Sequence, residues 1–185
     1  MLTIAKDVKI QVEFNPSHVQ AYRLIGYENR KLNDEDFNDD KKDAGELGAG
    51  HTVTALYEII PQGVESSQLP DIDKLKYQDR SVNSAQSDEL LTVKFRYKDP
   101  NGSKSKLIAK TLKNGRSNRL SQNFMFSAAV AGFGMLLRDS EFKGDLTWEQ
   151  VAQMAKISRG DDPEGYRAEF IRMVEKAGLL ASNRS

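Results

Sequence analysis

The chain has no cysteine. That absence excludes disulfide frameworks, thiolate zinc sites and cysteine nucleophiles together, and it leaves the compartment open. Histidine is nearly absent too, with only His18 and His51 present. Two imidazoles so far apart give little material for a metal site or an acid–base pair. No Gly-x-Ser-x-Gly run occurs, so the nucleophile elbow of serine hydrolases is missing. Long apolar runs are also lacking. The longest, Ala128 to Leu137, is about half of the roughly 20 residues that span a bilayer, so direct membrane insertion is not expected. There is no excess charge of either sign: 27 Lys and Arg offset 27 Asp and Glu. Neutralising phosphates needs a net basic face, so general nucleic-acid binding is not expected. The most basic stretch holds Lys104, Lys106, Lys110, Lys113, Arg116 and Arg119, and no aromatic lies between Tyr97 and Phe124 to stack on bases. It reads as a solvated hairpin and helix start.

What is present is a chain of 185 residues, 38% apolar and 29% charged. That length suits one domain or two small ones, and a chain near this size buries roughly 70% of its unfolded surface. From Met1 it runs directly into TIAKDVKIQVEF, with no secretory leader. The abrupt start inside a strand pattern leads us to expect a piece of a longer protein, with Met1 as a cloning residue.

Residues 1–113 read as β. Val8, Ile10, Val12 and Phe14 alternate with polar residues, the period of a half-buried strand. Asn15-Pro16-Ser17 breaks it. Further strands are expected over Val19 to Tyr27, Thr52 to Ile60, Leu90 to Tyr97 and Lys104 to Leu112. The last two form a hairpin turned at Asp99-Pro100-Asn101-Gly102. Residues 64–88 are polar and irregular and read as a long disordered loop. After Asn114-Gly115 the period changes. Arg119 to Arg138 is apolar nearly all round, which predicts a buried central helix with Gly132 and Gly134 at close contacts. Thr147-Trp148-Glu149-Gln150 predicts a capping box opening a second helix. Asp162-Pro163-Glu164 predicts a third, with Asp162 as N-cap, Pro163 at N1 and a stop at Gly178. Strands followed by helices argue for an α+β fold: an antiparallel, sandwich-like β part over 1–113, then a small three-helix part over 114–185, expected as one compact unit.

Three regions invite functional readings. The acidic loop places Asp34, Glu35, Asp36, Asn38, Asp39, Asp40, Asp43 and Glu46 close together. Asp36, Asn38 and Asp40 have EF-hand spacing, but Lys41 stands where the glycine belongs and Leu47 where the bidentate glutamate belongs. An irregular calcium or other metal site on Asp36, Asn38, Asp39, Asp40 and Asp43, with a hydrolytic role alongside His51, is kept as an alternative to a solvated acidic turn. Gly45, Gly48 and Gly50 precede a strand instead of a helix, so a phosphate loop is not expected; they read as positive-φ positions. Tyr22, Arg23, Tyr27, Asn29 and Arg30, with His51, combine the residue types that anchor interfaces. Arg23 is expected to pair with Asp36 or Glu58. His18 is expected at a solvent-exposed turn.

The stretches VKIQVEFNP, AYRLIGYENR, EDFNDDKKDAGELGAGHTVTALYE, FRYKDP, AVAGFGMLLRDSEFKG and DPEGYRAEFIRMVEKA, in this order, resemble the C-terminal region of bacterial proteins that carry a von Willebrand factor type A (vWA) domain. The resemblance covers nearly all of residues 7–178. The vWA metal loop, Asp-x-Ser-x-Ser, is absent from this chain. The resemblance implies a non-enzymatic accessory module that follows the vWA domain and packs on it, in a protein of the cell envelope, often a lipoprotein. It implies no catalytic residues and no cofactor. The vWA domain of the same protein, or another envelope protein, is the implied partner.

Overall fold

Strand β1 (Thr3–Phe14) organises the first half of the chain. The structure, a computed structural model, describes residues 2–26, 34–65, 87–115 and 119–183, without the side chains of Asp34 and Glu35. Two units are distinguished, Met1–Gly115 and Arg116–Ser185. The arrangement is α+β, with antiparallel sheets followed by three helices.

The other strands are β2 (Val19–Ile25), β3 (Gly45–Gly48), β4 (Leu56–Pro61), β5 (Glu89–Lys98) and β6 (Ser105–Lys113). Four of them form a sheet in the order β3-β1-β5-β6, and β2 pairs with β4 in a separate two-stranded sheet. The predicted hairpin forms: Gly102 N–H donates to Asp99 O at 2.9 Å, and Phe95 faces Ile108 across the ladder. Asn15 makes the expected break by accepting from Ser17 N–H at its own side chain, an Asx turn.

Three strand expectations need correction. Tyr27 lies outside the described residues, and β2 ends its pairing at Ile25. The third predicted strand starts at Leu56 instead of Thr52, because Leu56 is the residue facing Ile25 and β2 offers no further partner. Gly45 and Gly48 lie in β3, not at positive-φ turns; only Gly50 of the three has a left-handed φ, 74°. A strand of four residues, two of them glycine, leaves no side-chain alternation to read. Of the polar segment 64–88, residues 66–86 lie outside the described residues.

β1 carries a bulge. Lys6 faces Lys98 and Lys9 faces Arg96, so Asp7 and Val8 stand against Tyr97 alone. Asp7 takes a left-handed φ of 52°, which aspartate tolerates better than most residues.

In the second unit α1 (Gln122–Leu137), α2 (Trp148–Ile157) and α3 (Tyr166–Ser182) pack around Phe133. Its ring meets Trp148 and Phe170 edge-on at 5.8 and 5.4 Å between centroids. The capping box at Thr147 forms in both directions. Gly132 allows the close approach of Leu146 and Val151, which a Cβ would meet at 3.0 and 3.2 Å; Gly134 faces open space.

Three helix expectations are corrected. α1 is not buried all round, since Phe124, Val130 and Leu137 are about half exposed. The N-cap of α3 is Gly165, and Asp162 reaches over a turn to accept from Arg167 and Ala168 N–H at 3.1 and 2.8 Å. α3 also runs through Gly178, because the missing Cβ there is what lets Trp148 pack: a Cβ would come within 3.0 Å of it.

Candidate functional site

The four-stranded sheet has two faces of opposite character. One carries Lys9, Arg96 and Lys98; the other carries Ile10, Val12, Phe14, Leu91, Val93, Phe95, Tyr97, Ile108 and Leu112, as the registers require.

The charged face is closed by the acidic segment. A 3-10 turn (Asp34–Phe37) buries Phe37 against the sheet. Arg96 lies over the Phe37 ring at 5.4 Å and donates to Asn38 Oδ1 at 3.0 Å and Ser105 Oγ at 2.7 Å. Lys9, only 2% exposed, donates to the backbone carbonyls of Asp36, at 2.9 Å, and Asp39. Lys98 donates to Asp7 Oδ2 and to Asp40 O, both at 2.7 Å. The Lys98 ammonium holds the Asp7 carboxyl below its ordinary range, and Asp7 holds Lys98 above its own. The side chain of Asp36 pairs with Lys42 at 3.4 Å, and that of Asp39 accepts from Lys41 N–H at 2.8 Å. The hydroxyl of Ser105 holds Asp40 low.

The segment thus already holds three side-chain cations, the ammoniums of Lys9 and Lys98 and the guanidinium of Arg96. Among the described residues no three His, Cys, Asp or Glu side chains converge as metal ligands. Asp36, Asn38, Asp39 and Asp40 instead serve as a lid, and Asp43 is exposed. This geometry gives the metal reading no support. Lys9 and Lys98 were not singled out from the sequence. The alternation gave no signal, because both lysines stand at its polar positions, the side that reads as solvent-facing.

The apolar face is covered at one end. Phe14 stacks on Tyr22 at 4.5 Å and meets Tyr57 edge-on at 5.5 Å, which joins the two sheets there. Burial, with Tyr22 beside it, raises the Tyr57 phenol above its ordinary pKa. Beyond that cluster the face is open: Ile10 is 51% exposed, Ile108 55% and Leu112 54%. Phe95 and Tyr97 rings lie 5.6 Å apart between them, half-buried.

The residues proposed from sequence as an interface are only partly brought together. Tyr22 and Arg23 lie on opposite faces of β2, and Arg23 pairs with Glu58, as one of the two expectations had it. Tyr27, Asn29 and Arg30 lie outside the described residues. His51 sits elsewhere. Its N–H donates to Gly48 O, and Gly48 faces Thr3, whereas Tyr22 stacks on Phe14 at the other end of β1. At about 3.3 Å per residue the two ends are roughly 30 Å or more apart. His51 is exposed, with Nδ1 3.1 Å from Ala49 O. His18 is not the exposed turn residue expected. Its Nδ1 lies 3.2 Å from Asn114 Nδ2 and its Nε2 3.0 Å from Ser87 O, a clamp between chain segments. In the basic stretch, Lys106 pairs with Asp99 and Lys113 with Asp88. Arg116 lies outside the described residues.

Residues 1–180 match the family described as "Uncharacterized protein YfbK, C-terminal". The chain belongs to the YfbK C-terminal family. A relative in this family, the uncharacterized protein YfbK of Escherichia coli (strain K12), is 45% identical over 179 residues. That match covers 96% of this chain and 30% of the relative, so the chain spans less than a third of that protein's length. No solved structure matches the chain. No helix among the described residues is long and apolar enough to cross a membrane.

Proposed function

We propose that this YfbK C-terminal chain is a non-enzymatic docking module that packs on a vWA domain of its own full-length protein, in the bacterial cell envelope. The observation that carries this reading is where the polar groups go. The cations on one face of the first unit are engaged within it: Lys9 with backbone carbonyls, Arg96 with Asn38 and Ser105, Lys98 with Asp7, and Arg23 on β2 with Glu58. Among the described residues the opposite face keeps apolar side chains half exposed, Ile10, Ile108 and Leu112, with Lys110 beside them. Exposed apolar surface grouped on one face marks an interaction site more often than a catalytic one. The resemblance to the region that follows a vWA domain, and the 70% of the E. coli relative that lies outside the match, supply the candidate partner.

The test is a calorimetric titration of this chain against the vWA part of its own full-length protein, with and without magnesium. Binding with a Kd of about 1 μM or tighter, near −8 kcal/mol, is expected. Absence of binding in both conditions rejects the module. Calcium added to the chain alone is expected to give no heat; a saturable heat would move the function to the acidic segment.

A further inference from the structure

We propose that the open apolar face of the four-stranded sheet seats an amphipathic α-helix with an acidic flank, supplied by the part of the full-length protein outside this chain. The inference rests on the docking reading above and adds where the module docks and what occupies the site.

The face itself selects the occupant. In the sheet interior the backbone N–H and C=O groups are already paired in the ladders, so the occupant must satisfy its own backbone. A helix does so within itself. The open patch is three strands wide, Ile10 on β1, Phe95 on β5 and Ile108 on β6. At about 4.8 Å between strands that is roughly 10 Å, close to one helix diameter. Along the strands the patch runs from Tyr97 towards Leu91, where the Phe14 cluster closes it. Six residues of strand make about 20 Å, the length of a helix of about 13 residues.

Charge fixes the flank. On this face β6 contributes Lys106 opposite Tyr97 and Lys110 opposite Val93. Asp99 takes Lys106, while Lys110 has no ion-pair partner among the described residues. A helix lying over Phe95 and Ile108 therefore gains from carboxylates along its β6 side. A second copy of this chain, laid face to face, would instead bring lysines against lysines. Strand addition along the outer edge of β6 is opposed by the same lysines, a common way of blunting sheet edges.

The absence of cysteine from this chain allows a direct test. Ile108→Cys and Leu107→Cys place single thiols on opposite faces of β6, at half-exposed positions. Maleimide labelling of each is timed by peptide mass spectrometry, in the chain alone and in the full-length protein. Labelling at Ile108→Cys should slow by about tenfold or more in the full-length protein, and at Leu107→Cys by less than about twofold, the pattern of local protection. Adding Lys110→Glu should restore fast labelling at position 108. If Ile108→Cys prevents folding, Ile10→Cys reports on the same face.

Equal rates in chain and full-length protein overturn the proposal, as does slow labelling at position 108 in the chain alone. Protection that grows with protein concentration assigns the face to a second copy and also overturns it. If Lys110→Glu leaves protection unchanged, the acidic flank is wrong. Binding in the titration without protection at position 108 removes this seat and leaves the docking module standing; no binding removes the module itself.

Discussion

Among the described residues of the helical unit the buried apolar positions are contiguous: Ala129, Phe133, Val151, Ala152, Ala155, Ile171 and Val174 form one cluster, and the one buried polar side chain, Ser158, is uncharged and donates to Met154 O. In the sheet unit, which is longer, the buried apolar set is Ala5, Phe14, Val19 and Phe37, and two lysines share the interior with it. Burying apolar surface is the main favourable term in folding, and a buried ammonium returns little unless fully hydrogen-bonded. The difference teaches that apolar residues and apolar burial are not the same quantity. Among its described residues the sheet unit carries Ile10, Ile108 and Leu112 on one face, each about half exposed. A domain with a closed core needs nothing further, whereas the exposed apolar side chains among the described residues of the sheet unit are what the docking proposal calls on.

Truncating the centre of the helical cluster should have the largest effect. Phe133→Ala removes a ring in contact with Trp148 and Phe170. The expected loss is about 3–5 kcal/mol, the usual range for a buried aromatic. The chain has one tryptophan, and it lies in this unit, so Trp148 fluorescence reports on the cluster directly. An unchanged urea midpoint by Trp148 fluorescence would refute the packing described here.

The sheet unit should respond to a different kind of change. Lys9→Met keeps the length of the side chain but strips the donor from the carbonyls of Asp36 and Asp39. Orphaning such groups costs about 1–3 kcal/mol each when they stay dry, so a net loss of about 2 kcal/mol is expected. Tyrosine near-ultraviolet circular dichroism during urea unfolding follows it. If Lys9→Met stabilises the protein, the buried ammonium is a net cost and the lid is held by Phe37 and Arg96 instead.

The same contrast explains what could be read from the sequence. The three helices and the capping box of α2 were legible because their signals are local: Thr147 and Gln150 are three residues apart, and both bonds form. The β1 alternation, the Asn15 turn and the 99–102 hairpin were legible for the same reason. Gly178 misled because a glycine that ends one helix permits close packing in another, and only the position of Trp148 distinguishes the two. The acidic segment was legible as acidic but not as a lid, since its cations come from Lys9, Arg96 and Lys98 on strands distant in sequence. The apolar side of β5, with Leu91, Val93, Phe95 and Tyr97, was written in its alternation, whereas β6 sets Leu107 and Ile108 side by side and has no such pattern. Whether anything covered it depended on tertiary placement, which alternation does not contain.

The smallest effect should come from pH, and its sign follows from the Asp7–Lys98 pair. Asp7 is depressed, chiefly by its hydrogen bond from Lys98, so its contribution is complete above the ordinary aspartate pKa, about 4, and is lost as pH falls below it. Lys98 is raised, chiefly by Asp7, so its contribution is complete below the ordinary lysine pKa, about 10.4, and is lost as pH rises beyond it. The pair therefore stabilises the sheet unit between those limits and contributes nothing to pH dependence inside them. Asp7→Asn with Lys98→Met removes both titrations, and asparagine tolerates the left-handed φ at position 7. Melting temperatures of the wild type should fall more steeply than those of the double variant on both the acid and the alkaline side. The acid limb will not vanish in the variant. Asp88 is also held low, by Lys113, and Asp139 by Lys143, while the N–H groups of Ala168 and Arg167 bring Asp162 down against the upward push of its burial. The alkaline limb is the cleaner discriminator, although Lys106 and Lys113 are raised by Asp99 and Asp88 in the same way. Two superimposable pH profiles would mean that the lid is held by the uncharged contacts of Phe37 and the carbonyl bonds of Lys9, and that the second buried lysine adds nothing to the first.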